Sequence, residues 1–285
     1  MNGTRLKTRI IPILLLRNGI LVRARKFSLY QVTGDPFTQV ERFNSWNVDE
    51  LIYLDISRSW QFSVDQTNYV IGRTSSNKHH IDKKPKNMYQ FIEFLSKRCF
   101  MPLTFGGGIK SIDQIKRILA SGSDKVVINS QAFKAPEFIS TAAKAFGSQC
   151  IVVSIDCKKT ETGYEVFIEG GKTATGMKPL EWAKTAEKQG AGELLINSID
   201  RDGTGMGYDH ELYKPIIDEC KIPVIICGGV GKADDFSDGY RALKPSALAA
   251  ANIFHFIEHS DRKIKKHLLN NDVNVRLDGM PLAVR

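Results

Sequence analysis

The sequence lacks a long hydrophobic run and any cysteine pair at metal-ligand spacing. No apolar stretch approaches the ~20 residues that a membrane-spanning helix needs, and the first residues lack the apolar segment and cleavage site of a secretory signal. The five cysteines are scattered and odd in number, which argues against a disulfide framework or a zinc site. These absences predict a cytoplasmic protein with reduced thiols and no membrane association. Nothing in the sequence predicts a cofactor or a metal.

Basic residues exceed acidic ones and give a formal net charge of +9. They are not grouped with interleaved aromatic residues, as they would be on a nucleic-acid-binding surface, so no nucleic-acid partner is predicted. The excess favours an anionic small-molecule ligand or an acidic partner. One local basic cluster lies between positions 73 and 86, in a polar segment typical of a solvated loop.

Short apolar runs recur along the chain, with helix-length segments between them. They are apolar nearly throughout and do not alternate, as expected for parallel strands that are covered on both faces. Eight β/α units in 285 residues predict an α/β fold, a (β/α)8 TIM barrel. A doubly wound open sheet is the alternative, but the glycine fingerprint expected after its first strand is missing. The predicted strands are Arg9–Leu16, Leu51–Ile56, Met101–Phe105, Lys125–Asn129, Ile151–Asp156, Glu193–Ser198, Val224–Cys227 and Ala247–Ala251.

The two halves of the chain resemble each other. Gly106–Gly108 and Gly228–Gly229 each follow a strand and precede a helix, and the first strand aligns with the fifth. Such internal similarity predicts a two-fold half-barrel repeat. We therefore expect residues 1–285 to form a single barrel domain, with a long inserted loop at about 58–86 after the second strand.

Glycine turns between strand and helix let backbone N–H groups and the positive end of a helix dipole approach a phosphate. One such turn alone often needs glycine only for its geometry. Two turns in matching contexts predict two phosphate sites at one mouth, and hence a ligand that carries phosphate at both ends. The predicted phosphate-binding residues all follow strands: Gly107, Gly108, Asn129, Ser130, Gly203, Gly228, Gly229 and Asn252.

Carboxylates at the carboxyl ends of strands are candidates for acid–base chemistry. Asp156 ends the fifth predicted strand, and Asp202 lies in the turn after the sixth. Asp156 is a candidate general acid or base, and Asp202 a candidate to orient ligand hydroxyls. A structural cap and an ordinary Asp-Gly turn are the respective alternatives.

Four charged residues lie at the opposite ends of the strands. They are Arg9, Glu50, Lys125 and Glu193. In a closed barrel they would converge in one ring at the N-terminal face. On residue type alone, a structural set of ion pairs is the simpler interpretation.

Short motifs along nearly the whole chain point to a known family. They are Arg9-Ile10-Ile11, Gly34-Asp35-Pro36, Asp49-Glu50-Leu51, Leu54-Asp55-Ile56, Gly106-Gly107-Gly108-Ile109, Asp124-Lys125-Val126, Ile128-Asn129, Phe146-Gly147-Ser148-Gln149, Ser198-Ile199-Asp200-Arg201-Asp202-Gly203-Thr204, Gly207-Tyr208-Asp209, Phe254-His255-Phe256 and Val273-Asn274-Val275-Arg276. Together they resemble the cyclase subunit of imidazole glycerol phosphate synthase, the HisF family. The resemblance implies a barrel that takes ammonia from a HisH-like glutaminase docked on its N-terminal face, with the four-residue ring as the ammonia gate.

The sequence departs from that family at one catalytic position. The family uses two catalytic aspartates, of which Asp156 matches the second, while the first falls at Leu15. Asn197 and Cys227 stand where the family commonly has threonine and serine. Leucine cannot transfer protons, so the usual cyclase chemistry is expected to be impaired or redirected.

Three functions follow from the resemblance. The first is a divergent paralogue that supports ammonia-dependent amidation in surface-polysaccharide synthesis, with a sugar amidotransferase as a further partner. The second is an authentic cyclase, a lyase of histidine biosynthesis, in which Asp202 acts with Asp156. The third is a non-catalytic scaffold that activates the glutaminase. A sister-family isomerase is disfavoured, because its reaction also uses the aspartate that is replaced by Leu15.

Overall fold

The computed structural model describes residues 7–46, 48–57, 85–256 and 260–276. The strands in these residues are β1 (Arg9–Arg17), β2 (Ile20–Arg25), β3 (Leu29–Gly34), β4 (Leu51–Asp55), β5 (Leu103–Gly106), β6 (Lys125–Ile128), β7 (Ile151–Thr160), β8 (Gly163–Ile168), β9 (Thr173–Ala174), β10 (Glu193–Ser198), β11 (Val224–Cys227) and β12 (Ala247–Ala250). The α-helices are α1 (Pro36–Trp46), α2 (Met88–Ser96), α3 (Ile112–Ala120), α4 (Ser130–Lys134), α5 (Glu137–Phe146), α6 (Pro179–Lys188), α7 (His210–Glu219), α8 (Ala233–Leu243), α9 (Ile253–Phe256) and α10 (Ser260–Leu269).

Eight parallel strands close into a barrel. The order around the barrel is β1, β4, β5, β6, β7, β10, β11 and β12, and β12 pairs with β1 to complete it. Helices follow the barrel strands and connect each of them to the next. The prediction of a (β/α)8 barrel is therefore confirmed, and the open-sheet alternative is wrong because both would-be edge strands are paired.

Apolar side chains pack in two layers, as the nearly continuous apolar strands predict. One set fills the barrel interior: Ile11, Ile13, Ile52, Val127, Val152, Leu195, Ile225, Cys227, Ala247 and Ala249. A larger set lies between the strands and the surrounding helices. Helix α3 illustrates the outer layer: Ser111 and Gln114 form a capping box at its start, and Ile115 and Ile118 on one face are fully buried.

Two barrel strands are longer than predicted, and each continues into an antiparallel meander. Strand β1 runs to Arg17 and pairs with β2, which pairs with β3. Strand β7 runs to Thr160 and pairs with β8, which pairs with β9. The apolar-run criterion missed these extensions because most of the added residues are polar, namely Arg17 in β1 and Lys158, Lys159 and Thr160 in β7. Since β1 and β7 are the first and fifth barrel strands, the same device stands at equivalent places in the two halves.

Strands β10 and β11 match their predicted bounds, and the ends of the remaining barrel strands, β4, β5, β6 and β12, differ from prediction by one or two residues. The largest shift is at β5, which begins at Leu103 and includes Gly106, whereas the predicted strand was Met101–Phe105. The predicted insertion at about 58–86 falls, except for Pro85 and Lys86, outside the described residues. In the described part of the chain, no helix has the length and hydrophobicity that a membrane crossing requires.

Candidate functional site

A closed ring of ion pairs lies at the N-terminal end of the barrel interior. Arg9 Nη1 lies 2.7 Å from Glu50 Oε2, and the other guanidinium nitrogen of Arg9 pairs with Glu193. Lys125 Nζ lies 3.0 Å from one carboxylate oxygen of each glutamate. The two glutamates are buried, while Arg9 and Lys125 keep 27% and 22% of their side chains exposed. The structure thus brings the four predicted residues together, with charges that alternate and cancel.

Buried polar contacts hold the ring in place from outside. The Thr104 hydroxyl donates to Glu50 Oε1 at 2.9 Å. Asp49 Oδ2 accepts the backbone N–H of Ile10 at 2.9 Å, and Lys265 Nζ lies 2.7 Å from Asp49 Oδ1. Asp49 thereby fixes the chain next to both Arg9 and Glu50. The sequence analysis did not identify Lys265. Its position in α10 is a usable signal, because it lies next to Ile264 and in a buried row with Asp261 and Leu268.

The barrel interior above the ring is apolar. Ile11, Val127 and Leu195 belong to the buried cluster that fills it, and Leu15 and Leu54 pack against that cluster from the C-terminal side. Leu15 pairs with Leu54 across the parallel ladder between β1 and β4. Ionised groups are strongly disfavoured in such surroundings, whereas a small neutral molecule meets no comparable penalty.

Asp156 lies at the C-terminal mouth of the barrel. It is 7% exposed, and burial raises the pKa of its carboxyl from 3.8 to about 7, with a smaller upward contribution from Asp202. Asn129 Nδ2 donates to Asp156 Oδ2 at 2.9 Å and opposes that shift. A carboxyl with a pKa near neutrality can both give and accept a proton at physiological pH. Asp156 does not end its strand as predicted, because β7 continues past it into the pairing with β8.

Asp202 faces the turn at the end of β2. Its carboxylate accepts the backbone N–H of Phe27 at 3.4 Å, and its carbonyl oxygen accepts that of Lys26 at 3.0 Å. Burial raises the pKa of Asp202 to about 6, while the backbone N–H groups of Phe27 and Lys26 lower it. The carboxyl therefore binds this turn and also lines a small cavity, described next.

The second predicted phosphate set comes together in one small cavity. Gly203, Gly228, Gly229 and Asn252 all line it, together with Asp202. Gly228 and Gly229 have φ values of 110° and 102°, a region that favours glycine. A Cβ at Gly229 would overlap the carbonyl oxygen of Gly207, so only glycine fits at this position.

The first predicted phosphate set is partly engaged in protein contacts. Gly107 and Gly108 have φ values of 106° and 66°, and a Cβ at Gly107 would overlap the carbonyl oxygen of Asp55. Asn129 uses its Nδ2 on Asp156, and the Ser130 hydroxyl accepts the backbone N–H of Glu169 at 2.9 Å. Ser130 is nevertheless the first residue of α4, so the glycine turn and a helix start lie on neighbouring strand ends.

Two amide oxygens at the mouth are buried without a hydrogen-bond partner among the described residues. They are Oδ1 of Asn197 and Oδ1 of Asn252. Asn252 Nδ2 donates to the Ala24 carbonyl oxygen at 3.0 Å, which ties it to the end of β2. Buried acceptors of this kind are normally satisfied. A ligand with hydroxyl or amine hydrogens beside its phosphate would satisfy them.

His255 is a second residue whose properties the sequence did not indicate. It lies in α9, which follows β12 and Asn252, and burial lowers the pKa of its imidazole to about 4, with a further downward contribution from Arg23. The ring is therefore neutral at physiological pH. Its Nε2 has no hydrogen-bond partner within the described ranges.

Comparison with known proteins agrees with the geometry. A family model described as histidine biosynthesis protein matches residues 79–260. Over 272 residues, 95% of this chain and all of the relative, the sequence is 40% identical to the imidazole glycerol phosphate synthase subunit HisF of Natranaerobius thermophilus. Both matches exceed what a shared fold alone would give. The chain therefore belongs to the HisF family of imidazole glycerol phosphate synthase subunits.

Proposed function

We propose that this protein accepts ammonia from a HisH-like glutaminase at its N-terminal face and passes it through the barrel core. We infer further that it is a divergent paralogue that delivers the ammonia to another enzyme, of the kind that amidates a sugar in surface-polysaccharide synthesis. The observation that carries the proposal is a complete charged ring at one end of the core together with Leu15 at the other end. The first feature fits ammonia entry, and the second removes a proton-transfer group.

The ring suits a gate because its charges cancel. Two cations and two anions in one plane leave no net charge to attract ions, and each residue has two partners. One ion pair can therefore open while each of its two residues keeps a second partner of opposite charge. Arg9 and Lys125 are the partly exposed members, so they are the ones that a docked glutaminase would contact.

The core beyond the ring selects for neutral ammonia. Its lining is mostly aliphatic, with the buried hydroxyl of Ser154 beside Leu195, and desolvating an ammonium ion there would cost several kcal/mol, on the order of the penalty for any buried ion. At the mouth, Asp156 with a pKa of about 7 can exchange a proton with the arriving molecule. The two glycine turns flank this mouth and fit a ligand with two phosphate groups.

A specific observation also supports the alternative of an authentic cyclase. Asp202 has a pKa of about 6, lies near enough to raise the pKa of Asp156, and opens onto the same mouth. It could supply the second carboxyl in place of Leu15. Its hydrogen bonds to the turn after β2 argue against this role, because they hold the carboxylate on the rim.

The deciding experiment supplies the purified protein with the bis-phosphate aminoimidazole ribonucleotide substrate of the family and an ammonium salt. We expect binding of the bis-phosphate by calorimetry but no cyclisation at the family's usual rate. Turnover at that rate, or complementation of a histidine auxotroph that lacks the cyclase, would reject the divergent function. Absence of any bis-phosphate binding would instead support a non-catalytic scaffold.

A further inference from the structure

Strand β3 is an exposed edge beside the barrel mouth. Within the described ranges it pairs only with β2, so its outer row of backbone N–H and C=O groups faces away from the sheet. Its apolar side chains are exposed: Leu29 by 70%, Tyr30 by 40% and Val32 by 48%. The six residues Leu29–Gly34 contain no charge and no proline. They are rich in residue types that favour strands.

Natural proteins usually protect such edges by keeping them short or placing charges on them. The equivalent meander in the other half of the barrel follows this rule, because its outer strand β9 has only two residues, Thr173 and Ala174. Strand β3 is three times as long and carries three large exposed side chains. The contrast within one molecule indicates that the β3 edge is kept open for a binding partner.

The surroundings of β3 indicate the charge of that partner. Residues 17–34 carry four basic side chains and no acidic one. Arg17, Arg25 and Lys26 are exposed, and the Arg17 guanidinium lies 4.7 Å from the centre of the Tyr30 ring, which holds that ring beside a positive charge. A second copy of this chain paired along β3 would bring two such basic segments together, which like-charge repulsion disfavours. An acidic partner is favoured instead.

The position of β3 indicates what the partner does. Leu15, at the top of the barrel interior, pairs with Val22 of β2, and β2 pairs with β3. A strand added outside β3 would lie three strand spacings from β1, which is roughly 14 Å. A protein bound there stands where ammonia would leave the core.

We propose that β3 is the docking strand for an acidic, ammonia-consuming enzyme, which adds an extended apolar segment along this edge. The inference rests on the proposed function, because it names the partner that receives the ammonia. Main-chain hydrogen bonds along β3 provide affinity, Leu29 and Val32 provide apolar contacts, and the basic flank orients the partner.

The test uses the full-length protein and, as the probe, a purified ammonia-dependent synthetase that amidates a sugar in surface-polysaccharide synthesis. Affinity is measured for the wild type, for the double variant Leu29→Glu/Val32→Glu and for Phe100→Glu. Phe100 is 86% exposed and precedes β5 at the opposite face, so this variant makes the same exchange away from the mouth. All three sites are solvent-exposed, and melting temperatures verify that the variants fold.

We expect the double variant to bind the synthetase at least about tenfold more weakly, because negative charges on the edge block strand addition and repel an acidic partner, and Phe100→Glu to bind it as the wild type does. Binding should also weaken as salt rises, because opposite charges contribute to it. In hydrogen exchange, the synthetase should protect backbone amides of Leu29–Gly34.

Equal binding by all three proteins, or binding without added protection in β3, would overturn the docking strand alone. If the wild-type chain forms a dimer by itself and the double variant does not, the edge is assigned to a second copy of the chain, and the proposal is likewise overturned. Failure of the synthetase to bind the wild type would overturn both this inference and the proposed delivery of ammonia. The two failures are therefore distinguishable.

Discussion

Replacing Asp156 by asparagine should stabilise the protein, and the gain should grow with pH. The carboxyl has a pKa of about 7 in the folded protein and an ordinary value of 3.8. Because the folded pKa is raised, the native state binds the extra proton between about pH 4 and pH 7. Stability from this group is therefore lost as pH rises through that window. Asparagine is nearly isosteric, carries no charge, and can still accept from Asn129 through its amide oxygen.

The size of the effect follows from the difference between the two pKa values. About three pKa units correspond to roughly 4 kcal/mol when the group is fully ionised. At pH 5 the native carboxyl is still protonated while the unfolded one is mostly ionised, so the penalty is only about 1.5 to 2 kcal/mol. Asp156→Asn should thus gain about 2.5 kcal/mol more at pH 8 than at pH 5. In a chain of 285 residues that corresponds to roughly 4 °C in melting temperature.

The assay is thermal unfolding of the wild type and the variant at pH 5 and pH 8, in buffers of low ionisation enthalpy. Asp202 contributes to the pH dependence of stability in both the wild type and the variant. The difference in pH dependence between the two proteins therefore reports on Asp156 and on its interaction with Asp202. Asp238→Asn is the control, since Asp238 is exposed on α8 and lies 3.5 Å from Arg241. A gain of equal size at both pH values would refute the reasoning that burial holds this carboxyl protonated.

Three further predictions concern the ring, the mouth and a glycine turn. Glu50→Gln leaves the ring with an unbalanced positive charge and should lower the free energy of unfolding by about 3 kcal/mol or more. The control Glu211→Gln, at an exposed ion pair, should barely change the melting temperature, and equal effects of the two variants would contradict a buried ring. Leu15→Asp should raise the rate of ammonium-dependent cyclisation of the bis-phosphate substrate roughly 10²–10⁴-fold, with Leu15→Asn as the polar control without a carboxyl group. The absence of any gain would show that another residue that differs from the family's pattern blocks the chemistry. Gly107→Ala forces a Cβ onto a neighbouring carbonyl oxygen and should destabilise the protein far more than Gly163→Ala, where a Cβ has open space and only the positive φ is strained. Equal urea midpoints of the two variants would count against this geometry.

The sequence predicted most of the barrel and only part of the site. The apolar runs located all eight barrel strands because a strand covered on both faces needs apolar residues at every position. The meanders beyond β1 and β7 escaped detection, since polar and charged residues interrupt their short apolar runs and the strands obtain their structure from pairing with a neighbour. The pairing partner is not encoded in the period of the segment itself.

Site residues were located by position but not by state. Asp156 was predicted at the mouth, yet its pKa of about 7 depends on complete burial, on Asn129 and on Asp202. Ser130 was predicted to bind phosphate, and the fold shows its hydroxyl accepting a backbone N–H from Glu169. Lys265 received no role from the sequence, because a lysine in a helix is normally exposed.

The sequence by itself determined the strands, the glycine turns and the residue types at the strand ends, because each of these follows from local spacing and from the chemistry of single side chains. Only the tertiary structure decided which of them meet. The ring joins Arg9 to Glu50 and Glu193, which are 41 and 184 positions away along the chain, through closure of the barrel. Burial of Asp156 and exposure of β3 were decided in the same way, since both depend on what other parts of the chain cover.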